Sequence, residues 1–205
     1  MKMNQLRLFV AIYPDAEIRN KILSYQAFWA KQLQQVRWTR FDDLHLTLAF
    51  MAEFPANRVE QLSAAIHSCT SQNPVMSLQF DGVLVLPSKR SPRIIGLSIA
   101  DKSERLRLMQ SAILTAVEQA GGRPDRKPFR PHITIGRIKE QNMGLDTPAL
   151  DSLLNEHIGN RNSLKGDQWL AASVEIIQSN LHSTGPRYST IASFRLAECF
   201  IDKGL

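Results

Sequence analysis

The sequence predicts an α+β protein built from two duplicated lobes. Three observations carry that prediction. Seven strand-like stretches, alternating or continuously apolar, are interleaved with four stripes of helical spacing. The order strand–helix–strand–helix–strand occurs twice, from Leu6 and again from Ile94, and the second copy is followed by one more strand. No Gly/Ser-rich or Pro-rich linker separates the copies, so they are expected to pack face to face.

Leu6–Tyr13 is the first strand, ended by Pro14-Asp15. Asp15 suits an N-cap, and beyond it Ile18, Ile22, Tyr25, Trp29 and Leu33 recur at helical spacing. Leu44–Phe50 is the middle strand of the first copy. Val59, Leu62, Ile66 and Cys69 mark the second helix, and Leu78–Leu86 closes that copy. The second copy starts with Ile94–Ile99. Leu106, Met109, Ile113 and Val117 give its first helix, which Gly121-Gly122 stops. His132–Ile138 is its middle strand. Thr147-Pro148 opens the fourth helix, with Leu150, Leu153, Leu154 and Ile158, because Pro fits a first helical position. Ser173–Leu181 and Thr190–Leu196 are the last strands.

With 205 residues, the chain fits one domain of two close lobes over 1–205. Hydrophobic residues at 43% and charged residues at 21% exclude extensive disorder. No apolar run approaches the ~20 residues that span a bilayer. The run Leu8–Ile12 lacks a small-residue cleavage pattern before Pro14-Asp15 and reads as a strand, not a secretion signal. Cys69 and Cys199 have no C-x-x-C partner, which excludes a thiolate zinc site and fits a reducing cytoplasm. The balance of 25 Lys and Arg against 19 Asp and Glu gives +6 and a pI near 9.6, favouring an anionic partner. Two loops concentrate this charge: Lys89, Arg90 and Arg93 in one, Arg123, Arg126, Lys127 and Arg130 in the other. The second runs straight into Pro131-His132, so connectivity places it beside that strand.

The two middle strands share a pattern. One reads His45-Leu46-Thr47-Leu48 and the other His132-Ile133-Thr134-Ile135. Strand side chains alternate, so His45 and Thr47 share one face while Leu46 and Leu48 face the core. The same holds for His132 and Thr134. A lone strand histidine is ordinarily a packing residue; two copies of one pattern, each in the middle of a repeated unit, point to chemistry. Transfer at a phosphodiester needs a base for the nucleophile, an acid for the leaving oxygen, and donors for the non-bridging oxygens. Two imidazoles with ordinary values near 6.5 and two hydroxyls can supply these.

A metal would need three or more clustered ligands. Strand alternation keeps Asp42 off the face of His45, and nothing acidic neighbours His132. No metal and no cofactor is therefore expected. G-x-S-x-G, G-x-x-x-x-G-K-[ST] and G-x-G-x-x-G are all missing from the sequence.

The tetrads HLTL and HITI, with Arg7–Ile12 at the start, Leu44 and Phe50 around the first tetrad, Pro131 before the second, and Gly185 and Tyr188 near the end, resemble the 2H phosphoesterases. The nearest likeness is to the bacterial RNA 2′,3′-cyclic phosphodiesterases of the 2′-5′ RNA ligase family. The resemblance covers nearly the whole chain. Met51-Ala52 departs from the family's usual Leu-Gly, which is expected to affect a turn. The resemblance implies a bilobal α+β fold, with mainly antiparallel sheets and flanking helices about a pseudo-two-fold axis and a central cleft. It implies metal-independent opening of a terminal 2′,3′-cyclic phosphate to a 2′-phosphate, with His45 as proton donor to the leaving oxygen and His132 as proton acceptor from water. The residues alone leave acid and base interchangeable. Thr47, Thr134 and Arg137 are the expected substrate contacts, with RNA 3′ termini or small cyclic-phosphate nucleotides as partners and a monomer as the assembly. Strict alternation turns Arg137, five residues past His132, away from the cleft unless Gly136 hosts a bulge. Phe50 stands in the same relation to His45 and reads as a core aromatic. His67 and His157 fall on polar helix faces, and His182 in a turn. Two further readings stay open: ligation of such an end to a 5′-hydroxyl at the same site, and a non-catalytic RNA-binding module. The second lacks the repeated sheet aromatics of a stacking platform.

Overall fold

The chain is described by a computed structural model covering residues 4–125, 127–138, 147–155, 163–183 and 185–197. In order, the elements are β1 (Gln5–Ile12), α1 (Ala16–Ala30), β2 (Val36–Trp38), β3 (Leu46–Pro55), α2 (Val59–Ser71), β4 (Met76–Ser88) and β5 (Ser91–Ala100). There follow α3 (Arg105–Gln119), β6 (His132–Ile138), α4 (Thr147–Leu154), β7 (Gln168–Ala171), β8 (Ser173–His182) and β9 (Gly185–Arg195).

Asp15 caps α1 by accepting from the Ile18 amide at 2.8 Å, and Ile18, Ile22, Tyr25 and Trp29 are its buried stripe. Leu33 lies past the helix end but is fully buried. The stripes of α2 and α3 are buried as expected at Leu62, Ile66, Leu106, Met109, Ile113 and Val117. Ile158, His157, Arg126 and Cys199 lie outside the described residues. β2 and β7 escape the sequence reading because strands of three and four residues are too short for periodicity to register.

All strands join one antiparallel sheet in the order β7-β4-β5-β6-β3-β1-β8-β9, with β2 pairing the end of β6 on the same edge as β3, opposite β5. The α+β class and the bilobal plan hold, but the lobes are not the consecutive halves of the chain. β4 pairs with β5, and β8 pairs with β1, so each lobe draws strands from both copies. The helices exchange too: α1 packs on β2 and α4 on β4, while α2 and α3 pack on each other and on the β3, β8 and β9 side. The lobes meet edge to edge, where β3 and β6 share the single pairing Leu46↔Ile133. Beyond it the two strands part, and the cleft opens between them.

β1 runs down the middle of its lobe, and Leu8 to Ile12 are all buried. Leu8, Val10 and Ile12 enter the main core, while Phe9 and Ala11 join Ile177 in a small second cluster edged by Tyr13, Phe50 and Tyr188. A strand covered on both faces has no polar side, which explains its unbroken apolar run. Met51-Ala52 lies inside β3, with Met51 fully buried, so this departure from the family pattern falls in a strand and not in a turn. His182 likewise ends β8.

Candidate active site

A cavity of about 600 Å³ lies between the lobes. His45, Thr47, Phe50, Thr134 and Arg137 line it, with Phe9, Tyr188 and the arginines 7, 37 and 40. His132 is not among the lining residues. It stands two residues before Thr134 on the same face of β6 and packs on β5, where a Cβ at Gly96 would come 2.9 Å from its Cδ2. Glycine at 96 makes room for the imidazole.

The two histidines are held alike. Nδ1 of His45 lies 2.7 Å from the Asp43 carbonyl oxygen, and Nδ1 of His132 lies 2.6 Å from that of Arg130. A carbonyl oxygen only accepts, so Nδ1–H is the donor in both rings. That fixes the tautomer and leaves each Nε2 for a substrate. The Asp43 carboxylate turns elsewhere, to Arg40 Nε at 2.8 Å.

Their surroundings differ. His45 stacks on Phe9 at 4.7 Å and meets Tyr188 edge-on at 5.7 Å and Tyr13 at 5.5 Å. Burial pushes its pKa down to about 4. The hydrogen bond to Asp43 and that carboxylate's charge oppose the shift, and Arg137 and His132 add to it. His132 is also lowered, first by burial and then by Arg130 and Arg137, against its bond to the Arg130 carbonyl. The lowered values favour the neutral form of both rings at pH 7. Burial raises the hydroxyl pKa of Tyr13, helped by Glu175, and of Tyr188, helped by Asp43, so both remain donors.

A β-bulge lies at the fourth residue of each tetrad. On β1 and β3, Val10↔Ala49 is followed by Ala11↔Thr47, leaving Leu48 as the extra residue. On β5 and β6, Ile95↔Gly136 is followed by Gly96↔Thr134, leaving Ile135. A bulge shifts the alternation by one, so Leu46, Leu48, Ile133 and Ile135 all stay buried while the fifth residue after each histidine returns to the cleft. This brings Arg137 in. It also brings in Phe50, correcting its reading as a core aromatic: Phe50 is half-buried, lines the cleft, and carries the Arg7 guanidinium 4.5 Å above its ring. Gly136 is tight for another reason. A Cβ there would meet Val36 Cγ1 at 2.5 Å, so β2 can lie against β6 only at a glycine.

Among the described residues, neither Thr47 nor Thr134 spends its hydroxyl on an intramolecular hydrogen bond. Among the described residues, no three His, Cys, Asp or Glu side chains are grouped as a metal site would need. The loop of Arg123, Lys127 and Arg130 does not converge on the cleft. Arg123 borders a separate groove with Glu53 and Arg58, and Lys127 pairs with Asp125 at 2.7 Å. Of these three, Arg130 alone is felt at His132. The start of this loop is held against β3 instead, the Asp125 amide donating to the Phe50 carbonyl at 3.0 Å. The arginines that do line the cleft come from β1, β2, the segment after β2, and β6. They are scattered in sequence and form no run. His67 is exposed on α2, as expected, and touches Phe194.

No described helix is long and apolar enough to cross a membrane. The sequence profile of the 2′-5′ RNA ligase superfamily matches residues 15–178. A protein of Archaeoglobus fulgidus named RNA 2′,3′-cyclic phosphodiesterase is 30% identical over 140 residues, 67% of this chain and 75% of that one. One of the same name from Geobacillus stearothermophilus is 25% identical over 194 residues, 95% of this chain; the chain spans 58% of that relative's length. The crystal structure of Escherichia coli LigT in apo form shares the fold, with a TM-score of 0.72 and 22% identity, covering 95% of this chain and 99% of that one. With His45, Thr47 and Thr134 of the paired tetrads lining the cleft and the profile match over most of its length, the chain belongs to the 2′-5′ RNA ligase superfamily, the 2H phosphoesterases.

Proposed function

We propose that the chain hydrolyses a terminal 2′,3′-cyclic phosphate on RNA to a 2′-phosphomonoester. His132 takes a proton from the attacking water, and His45 gives one to the leaving 3′-oxygen. The observation that carries this reading is the mirrored pair of Nδ1 hydrogen bonds, which leaves two like imidazoles with free Nε2 atoms, one just before β3 and one at the start of β6, the two strands that diverge at the cleft. In-line displacement needs such a pair, with one proton between them. Thr47 and Thr134 add hydroxyl donors, and Arg137, felt at both histidines, adds charge for the non-bridging oxygens. Two relatives bear the name of this activity. The division into acid and base follows the family resemblance. Because burial lowers the pKa of His45, the bound phosphate anion must raise its proton affinity before it can act as the acid.

Product analysis of a short oligoribonucleotide ending in 2′,3′-cyclic phosphate tests the reading. A 2′-phosphate product is expected. An unchanged end, or a 3′-phosphate, would overturn it.

A further inference from the structure

We propose that Arg37 binds the phosphate on the 5′ side of the terminal nucleotide, so that the cleft selects an RNA chain end over a free cyclic mononucleotide; this rests on the phosphodiesterase reading above. Arg37 and Arg137 are direct cross-strand partners on β2 and β6 and therefore project from the same face. Cβ atoms so placed are about 4.5–5.5 Å apart, and like charges there are destabilising. Among the described residues neither guanidinium has an ion pair, and Asp43, the carboxylate lining the cleft, is held by Arg40. The fold thus keeps two adjacent cations without a counter-charge, an arrangement that an anionic ligand would neutralise.

The two are not equivalent. Arg137 lines the cleft and its charge is felt at both histidines, the proposed reacting centre, whereas Arg37 is not among the groups that shift either one. Arg37 leans instead to the β8–β9 hairpin, its Nη1 lying 3.8 Å from where a side chain on Gly185 would begin. The wall there is uncharged, formed by Ser179, Leu181 and Pro186. A nucleotide chain held with its terminal phosphate at Arg137 presents its next phosphate one nucleotide away, and a guanidinium fork suits a phosphodiester.

The test compares kcat/KM on a trinucleotide ending in 2′,3′-cyclic phosphate with that on a nucleoside 2′,3′-cyclic phosphate. The wild type is expected to prefer the trinucleotide. Arg37→Gln should cut that preference roughly tenfold, chiefly in KM, as loss of one charged hydrogen bond implies. It should also shallow the dependence of log KM on log salt by about 0.7 for the trinucleotide. Arg37→Lys, which keeps charge without the fork, should fall between, and Arg137→Gln should lower both substrates alike. An unchanged preference in Arg37→Gln, with the wild type active on both substrates, would overturn this inference alone. An equal loss on both substrates would also overturn it, by putting Arg37 on the reacting phosphate. A wild type that opens neither substrate would overturn the proposed function and this inference with it.

Discussion

Gln26 and Gln110 make the same contact in the two lobes. Gln26 reaches from α1 and donates through Nε2 to the Ile135 carbonyl at 2.8 Å; Gln110 reaches from α3 and donates to the Leu48 carbonyl at 3.2 Å. Those carbonyls belong to the two bulged residues, the ones that turn Arg137 and Phe50 into the cleft. A bulge breaks the ladder and leaves backbone groups to be satisfied elsewhere. Gln26 is itself buried, and it also donates to the Thr39 carbonyl, tying the segment after β2 to the same bulge.

Gln26→Met keeps the volume but deletes that donor. It should lower kcat at least tenfold, since small misplacements of contact groups are costly. Stability should fall by about 1–3 kcal/mol, the usual cost of an unmet buried partner. Steady-state kinetics and a thermal melt on one preparation check both. A loss of stability with kcat intact would make Gln26 a packing residue only.

Thr47→Val and Thr134→Val each keep strand shape and delete one hydroxyl at the cleft. Loss of a donor to developing phosphoryl charge should cost about 10²–10³ in kcat, by analogy with oxyanion-hole deletions. Turnover at the wild-type rate would show that the hydroxyl serves the strand alone.

The strands and helices that position the site were legible where burial imposes a period. Ile18 to Trp29, Leu106 to Val117 and the two tetrads all show it. The bulges were not. They depend on register against β1 and β5, and Gly136 only hinted at one of them. Gln26, Gln110 and Arg37 carry no periodic signal, since each owes its role to a strand or helix distant in sequence. The exchange of β4 and β8 between lobes was equally invisible, because pairing of strands far apart leaves no local trace.

Acid should weaken the fold through His45. Its folded pKa of about 4 lies below the ordinary 6.5, so between those values the unfolded chain binds more protons. This contribution to stability is complete above pH 6.5 and is lost as pH falls through about 4. Melting temperatures from pH 7.5 to 4.5 should therefore decline more steeply in the wild type than in His45→Phe, which retains an aromatic ring on Phe9. Parallel declines would mean that His45 keeps its ordinary pKa.

Activity should run on protein groups alone. Two imidazoles, two hydroxyls and Arg137 cover proton transfer and charge stabilisation. Turnover should survive excess EDTA. A loss that Zn²⁺ or Mn²⁺ restores would contradict the assignment.

If His45 is the acid and His132 the base, leaving-group rescue separates the two roles. Each alanine variant should lose at least ~10² in kcat/KM on a cyclic-phosphate RNA end. On a p-nitrophenyl phosphodiester, whose leaving group needs no proton, His45→Ala should recover far more of its activity than His132→Ala. Equal recovery, or recovery of His132→Ala alone, would mean that His45 is not the acid.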